Sequence, residues 1–195
     1  MEPWSYIAVP NAFSESSYKV KDIIAALGGP VTKEPILHYQ PRSDEEKREL
    51  EKINDGVFLL DQELLPILRT LAVTKGEQLL DMFSNTSSTS MGLLQLLARV
   101  DFSITINEGT PDKYQKLKKC VFDTVSKEVE AQIRLTGWDA VKFGTAETQM
   151  YDKVILDVPC SNEKKVFNDE KQMKKWTDKV RLYKMAYKNY TVGSF

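Results

Sequence analysis

Four carboxylates punctuate the middle of the chain at intervals that invite a common explanation: Asp81, Glu108, Asp139 and Asp157. Each falls at, or just beyond, a short apolar run that reads as a strand. In an open α/β sheet, ligands bind beyond the carboxyl ends of the strands. A carboxylate placed there can accept hydrogen bonds from both hydroxyls of a sugar, and the 27 residues from Asp81 to Glu108 fit one strand–helix–strand unit. A strand-end acid can equally cap a helix or a turn, so each one alone reads both ways. Four in register point to a nucleoside-like cofactor. "DVPC" at 157–160 adds a thiol. Pro159 stiffens the turn and would set Cys160 at the ligand edge, although a free cysteine is as readily a buried structural residue.

The elements that must carry these groups are legible as alternating periods. "QLLDMF" (78–83), "FSITIN" (102–107), "QIRLTGWD" (132–139) and "DKVILDVP" (152–159) read as strands, the last apolar on both sides as a central strand should be. Between the first two strands, "MGLLQLLARV" (91–100) reads as a helix. After the second, Thr110 as cap and Pro111 at the first helical position open another, with a stripe of Tyr114, Leu117, Val121, Val125 and Val129. Strands separated by helices predict an α/β fold with a parallel sheet covered on both faces. Upstream, Leu60, Leu64, Leu65, Leu68 and Leu71 stand at helical spacing, with Pro66 forcing a kink or a late start. Short helices are predicted over 16–27, capped by Ser14 or Ser16, and over 43–53, capped by Ser43. A last, lysine-rich helix places Met173, Trp176, Val180, Tyr183 and Tyr187 on one face. Its lysines solvate the other face or offer RNA a patch of Lys174, Lys175, Lys179, Arg181, Lys184 and Lys188. Residues 1–55 form an extension, partly helical, to a domain over 56–195.

Composition narrows the classes. The 27 basic and 28 acidic residues among 195 give a net charge of -1, which excludes a global basic field; any RNA contact must be local, and no DNA partner is expected. No run approaches the ~18 apolar residues of a membrane span. Two cysteines, Cys120 and Cys160, and the single His38 suggest neither a disulfide scaffold nor a zinc site. The N-terminus has no apolar signal core and no Arg-rich amphipathic stretch, so no targeting segment is expected.

Several of these stretches share the spelling of one family. "MYDKVILDVPCSNEK" resembles the segment around the aspartate–aliphatic–proline–cysteine motif of the Sun-family RNA cytosine-5 methyltransferases. "RLTGWDAVKFG" is similar to the segment before it, "INEGTPDKYQKLKK" to the family's second cofactor motif, and "GVFLLDQELLPILRTLAVTKGEQLLDM" to the lead-in to its first. The Trp-Asp and Asn-acid spellings resemble the mitochondrial small-subunit rRNA branch, and the likeness covers residues 56–165. It implies a Rossmann-like class I methyltransferase fold that binds S-adenosylmethionine over the strand ends. Glu108 would then hold the ribose, Asp139 would face the adenine, and Asp157 would line the junction between methionine and cytosine, with Asp81 in the first motif. The family adds a cysteine thiolate to the cytosine and eliminates it after methyl transfer, on a base taken out of its stack. Cys160 corresponds to the cysteine that assists release; the attacking one belongs to a later motif, and no cysteine follows Cys160.

The first motif itself departs from the family. In register, Asp–aliphatic–Cys–Ala–Ala–Pro–Gly–Gly–Lys–Thr becomes Asp81 to Ser90, which keeps the acid and the last hydroxyl. Ser87 and Ser88 replace both glycines, which predicts a narrowed, strained loop and impaired cofactor binding. The expectation is a catalytically impaired family member of the mitochondrial matrix acting on rRNA or a small-subunit precursor. The competing expectation is a non-catalytic module in ribosome assembly that binds RNA or protein, with a helical-repeat protein of the termination-factor family as partner. A third, another nucleoside-binding enzyme, finds no general base or metal site to support it.

Overall fold

The computed structural model describes residues 6–13, 37–39, 57–61, 64–84, 88–98 and 100–158. Its centre is a four-stranded parallel sheet in the order β6-β5-β4-β7, formed by β4 (Gln78–Met82), β5 (Ser103–Asn107), β6 (Ile133–Thr136) and β7 (Lys153–Leu156). The register sets Asp81 beside Ile106 on one side and Ile155 on the other, so the carboxyl ends of the strands align. This is the expected α/β arrangement. The helices α2 (Ser88–Leu97), α3 (Pro111–Thr124), α4 (Lys127–Glu130) and α5 (Ala140–Ala146) fill the crossovers.

Alternation along the strands distributes the core over both faces. Leu79, Ile104, Ile106, Ile133 and Ile155 pack with Met91, Leu93, Leu94 and Leu97 of α2 and with Leu117 and Val121 of α3. On the opposite face Leu80 and Met82 meet Phe83, Ala140 and Phe143. Burial on both faces is why these strands read as near-continuous apolar runs. The helical stripe expected through Val129 is interrupted: α3 stops at Thr124, where Val125 turns to extended backbone, and α4 resumes at Lys127. β7 pairs with β4, and its other edge carries no strand among the described residues. Ile155 is buried, whereas Val154 and Leu156 are 52% and 42% exposed. One face of this apolar strand is therefore uncovered by the described residues, unlike the central strand that its composition suggests.

A second, antiparallel sheet lies upstream in the order β2-β1-β3, with β1 at Tyr6–Pro10, β2 at Leu37–Tyr39 and β3 at Val57–Asp61. Leu60, expected on a helix by its spacing, sits in β3 and packs on Val9; α1 begins late, at Leu64 (Leu64–Thr70). Pro66 then falls in the first turn, where its missing N–H costs nothing. Pairing with β1 decides this local ambiguity, and spacing alone could not. Gln95 of α2 joins the two sheets: its Oε1 accepts from Ala12 N at 2.5 Å, and its Nε2 donates to Asn11 Oδ1 at 3.4 Å. The helices expected over 16–27, 43–53 and the lysine-rich C-terminal stretch lie outside the described residues.

Candidate functional site

The ends of β4, β5 and β6 converge on one edge. Asp81 is completely buried in β4. Ser90, from the first turn of α2, donates to its Oδ2, and the Ser90 and Ser84 hydroxyls are hydrogen-bonded to each other. Among the described residues, Oδ1 of Asp81 has no hydrogen-bond partner. Burial away from water pushes this carboxyl up to about 7; the Ser90 hydroxyl opposes that, and the charge of Asp157 adds to it.

Phe83 turns the chain just before Ser84. Its φ of +65° is unusual for a residue with a Cβ, and it turns the chain so that Ser84 N donates to Asn107 O at 3.3 Å. Strain was expected at Ser87 and Ser88. Ser88 instead opens α2 in helical backbone, and Ser87 lies outside the described residues.

At the end of β5, Asn107 and Glu108 are both buried. Oε1 of Glu108 accepts from Thr110 N at 2.7 Å and thereby caps α3, while the Thr110 side chain makes no capping bond. Asn107 Oδ1 accepts from Thr136 Oγ1 at 2.8 Å and from Trp138 N at 3.0 Å; its Nδ2 donates to Trp138 O at 3.0 Å. Asp139 is exposed and caps α5, accepting from Val141 N at 3.0 Å. Trp138 is 44% exposed; the Arg134 guanidinium lies 5.7 Å from its ring centroid, and Phe143 packs beneath it at 5.5 Å. Arg134 pairs with Glu147 and holds that carboxyl below its usual range.

The sheet therefore brings Asp81, Glu108 and Asp139 to one edge, with Asp157 directly after β7 and near enough for its charge to act on Asp81. Cys160 and Lys174, Lys175, Lys179 and Lys184 lie outside the described residues. Sequence reasoning missed what Asn107 and Ser84 do. The Asn-acid spelling marked the first, and nothing local marks the second, which acts across a loop. Among the described residues no cluster of His, Cys, Asp and Glu could hold a metal, and no helix is long and apolar enough to cross a membrane.

A parallel sheet in this order, helices in its crossovers and acids along its carboxyl edge make an α/β class I methyltransferase fold. The methyltransferase homolog protein from Pyrococcus horikoshii matches it with a TM-score of 0.59 at 15% identity, over 82% of this chain and 52% of that one. The structure of NSun6 from Pyrococcus horikoshii with SFG does so with a TM-score of 0.56 at 12% identity, over 82% and 64%. No protein-family model matches. Sequence relatives are nevertheless named as RNA methyltransferases. The 5-cytosine rRNA methyltransferase NSUN4 of Mus musculus is 28% identical over 116 residues, 58% of this chain and 30% of its own length. The mitochondrial tRNA (cytosine(34)-C(5))-methyltransferase of Danio rerio is 31% identical over 101 residues, 52% and 27%. Ribosomal RNA small subunit methyltransferase F of Salmonella paratyphi C is 29% identical over 171 residues, 82% and 34%. The chain is similar to RNA methyltransferases, among them cytosine-5 enzymes, and it spans about a third of the length of these relatives.

Proposed function

We propose that this chain is the cofactor-binding part of an RNA cytosine-5 methyltransferase-like protein, and that its carboxylate edge takes S-adenosylmethionine. The orphaned, buried Oδ1 of Asp81 carries the reading. A buried acceptor without a donor costs stability, and a cationic ligand supplies the missing partner. Asp157 adds a second negative charge to the same place. Glu108 receives the ribose hydroxyls, and Asp139 faces the adenine. When bound, the cofactor supplies an electrophilic methyl group. The residues of this chain bind and orient it, and the apolar cluster of Leu80, Met82, Phe83 and Phe143 keeps water from the sheet beneath. Cys160 has the release role by resemblance. Cys120 sits on α3, away from the strand ends, and neither cysteine matches the attacking position. The chain by itself is therefore expected to transfer no methyl group to cytosine.

Calorimetric titration with S-adenosylmethionine and S-adenosylhomocysteine tests the reading. Saturable micromolar binding, weakened by Glu108→Ala, supports it; a folded sample that binds neither overturns it. The rRNA substrate and the mitochondrial matrix are proposed from the relatives' names and the resemblance.

A second reading is favoured by the loop from Ser84 to Ser90, which contains no glycine. In it the fold is kept as a non-catalytic surface for rRNA or for a helical-repeat partner of the termination-factor family during ribosome assembly. The lysines at 174, 175, 179 and 184 would make the RNA contact. Salt-dependent RNA binding without cofactor binding favours it; absence of both removes it.

A further inference from the structure

We propose that Ser84 is a positioning residue: through Ser90 it favours the ionised form of the Asp81 carboxyl against the burial that opposes it, with Oδ1 left for the positive end of a ligand. The inference rests on the cofactor-binding reading for the ligand it serves. The hydrogen-bond relay itself stands on the geometry.

The direction of the relay follows from counting protons. A serine hydroxyl has one hydrogen and can accept as well as donate. Ser90 spends its hydrogen on Oδ2 of Asp81, so in the bond between the two serines Ser84 must donate and Ser90 accept. Donation into Ser90 polarises its hydroxyl and strengthens the next bond in the chain. The relay thus runs Ser84 to Ser90 to Asp81, all three buried. When Asp81 takes up a proton on Oδ2 its bond to Ser90 reverses, and Ser90, with two lone pairs, either keeps accepting from Ser84 or donates to it.

Among the described residues, other groups around Asp81 do not supply this help. Its register neighbours are Ile106 and Ile155, and the charged group that acts on it, Asp157 just beyond β7, opposes ionisation. Ser84 itself is fixed by its backbone bond to Asn107 O. The relay therefore joins the chain just after β4 to the first turn of α2.

The test is a pH titration of protein labelled with 13C at aspartate carboxyls, with the Asp81 signal assigned by Asp81→Asn. Ser84→Ala is expected to raise the Asp81 midpoint by roughly half a pH unit, and Ser90→Ala to raise it further. Adding Ser84→Ala to Ser90→Ala is expected to change nothing more, because the relay is already cut. Ser84→Cys, a weaker donor of similar size, should fall between wild type and Ser84→Ala, and it serves in its place if the alanine variant does not fold. An unmoved midpoint in Ser84→Ala, or effects that simply add, overturns the proposal. The pH profile of S-adenosylhomocysteine binding is expected to shift with the midpoint. If wild type binds no ligand while the midpoints move as stated, the cofactor reading falls and the relay remains.

Discussion

The side chain of Asn107 pairs with both backbone groups of Trp138: Oδ1 accepts from the Trp138 N–H at 3.0 Å and Nδ2 donates to the Trp138 carbonyl at 3.0 Å. A carboxamide offers one acceptor and two donors, so it extends the β5–β6 ladder beyond the last backbone pair, Asn107 with Thr136. Trp138 and Asp139 are thereby held at the carboxyl edge. Asn107→Ala is expected to lower stability by about 2–3 kcal/mol, through backbone groups left unpaired. Asn107→Asp should not rescue it, because a carboxylate cannot donate to the Trp138 carbonyl. Urea unfolding of the three proteins checks both statements.

Stability should depend on pH through Asp81. Its carboxyl lies at about 7 in the folded protein against 3.8 as the ordinary value, so the folded state holds a proton that the unfolded chain releases. The resulting stabilisation is full below about pH 4 and is lost as pH rises through about 7, on the order of 2–4 kcal/mol in all. Asp81→Asn should flatten that slope and be more stable than wild type at pH 8. Thermal melts across pH 5–8 that run parallel for the two proteins would defeat this account. Ligand binding should show the opposite trend, tightening as pH rises through 7, since the ionised carboxylate is the partner for a cation.

Gly109 is needed for room, not for backbone freedom. A Cβ there would stand 2.9 Å from the Trp138 carbonyl oxygen, and that oxygen is already fixed by Asn107. Gly109→Ala is expected to cost about 1–3 kcal/mol and to displace Glu108. Cofactor affinity should fall more steeply than stability, which calorimetry and unfolding measured on one preparation would separate.

Gln95 ties the upstream sheet to α2. Gln95→Ala leaves the Ala12 N–H without its side-chain acceptor and is expected to cost about 1–3 kcal/mol. Hydrogen exchange should then speed up in β1 and β3 while Ile104 and Ile106 in β5 stay protected. Uniform acceleration in both sheets would contradict it.

What was legible in the sequence was local. β4, β5, β6 and β7 appear as apolar runs between helix signals, because each is bounded within a few residues by its own caps and turns. Asp81, Glu108 and Asp139 could be set at strand ends for the same reason. The antiparallel sheet was invisible because β1 meets β3 across some fifty residues, and Leu60 satisfied a helical period as well as a strand. Asp139 reads as a helix cap or as a ligand contact, and its bond to Val141 N fits the cap. The relay depends on two serines meeting across a loop, which spacing does not encode. The likeness of "INEGTP" to a cofactor motif marked Asn107 as notable, but only the ladder it completes gives the residue a physical role.

The left-handed turn at Phe83 also bears on the order of events in folding. A residue with a large side chain adopts that backbone at a cost of roughly 1–2 kcal/mol. Repayment comes when the ring packs with Phe143 and Ala140, contacts that wait for α5, some sixty residues further on. The turn at Phe83 and Ser84 should therefore be among the last parts to take shape, after the chain has threaded two crossovers. Phe143→Ala would then slow the ordering of Phe83 and Ser84 more than the closure of β4 on β5, a difference that pulsed hydrogen exchange can time. The turn at Phe83 thus draws its support from a distant helix.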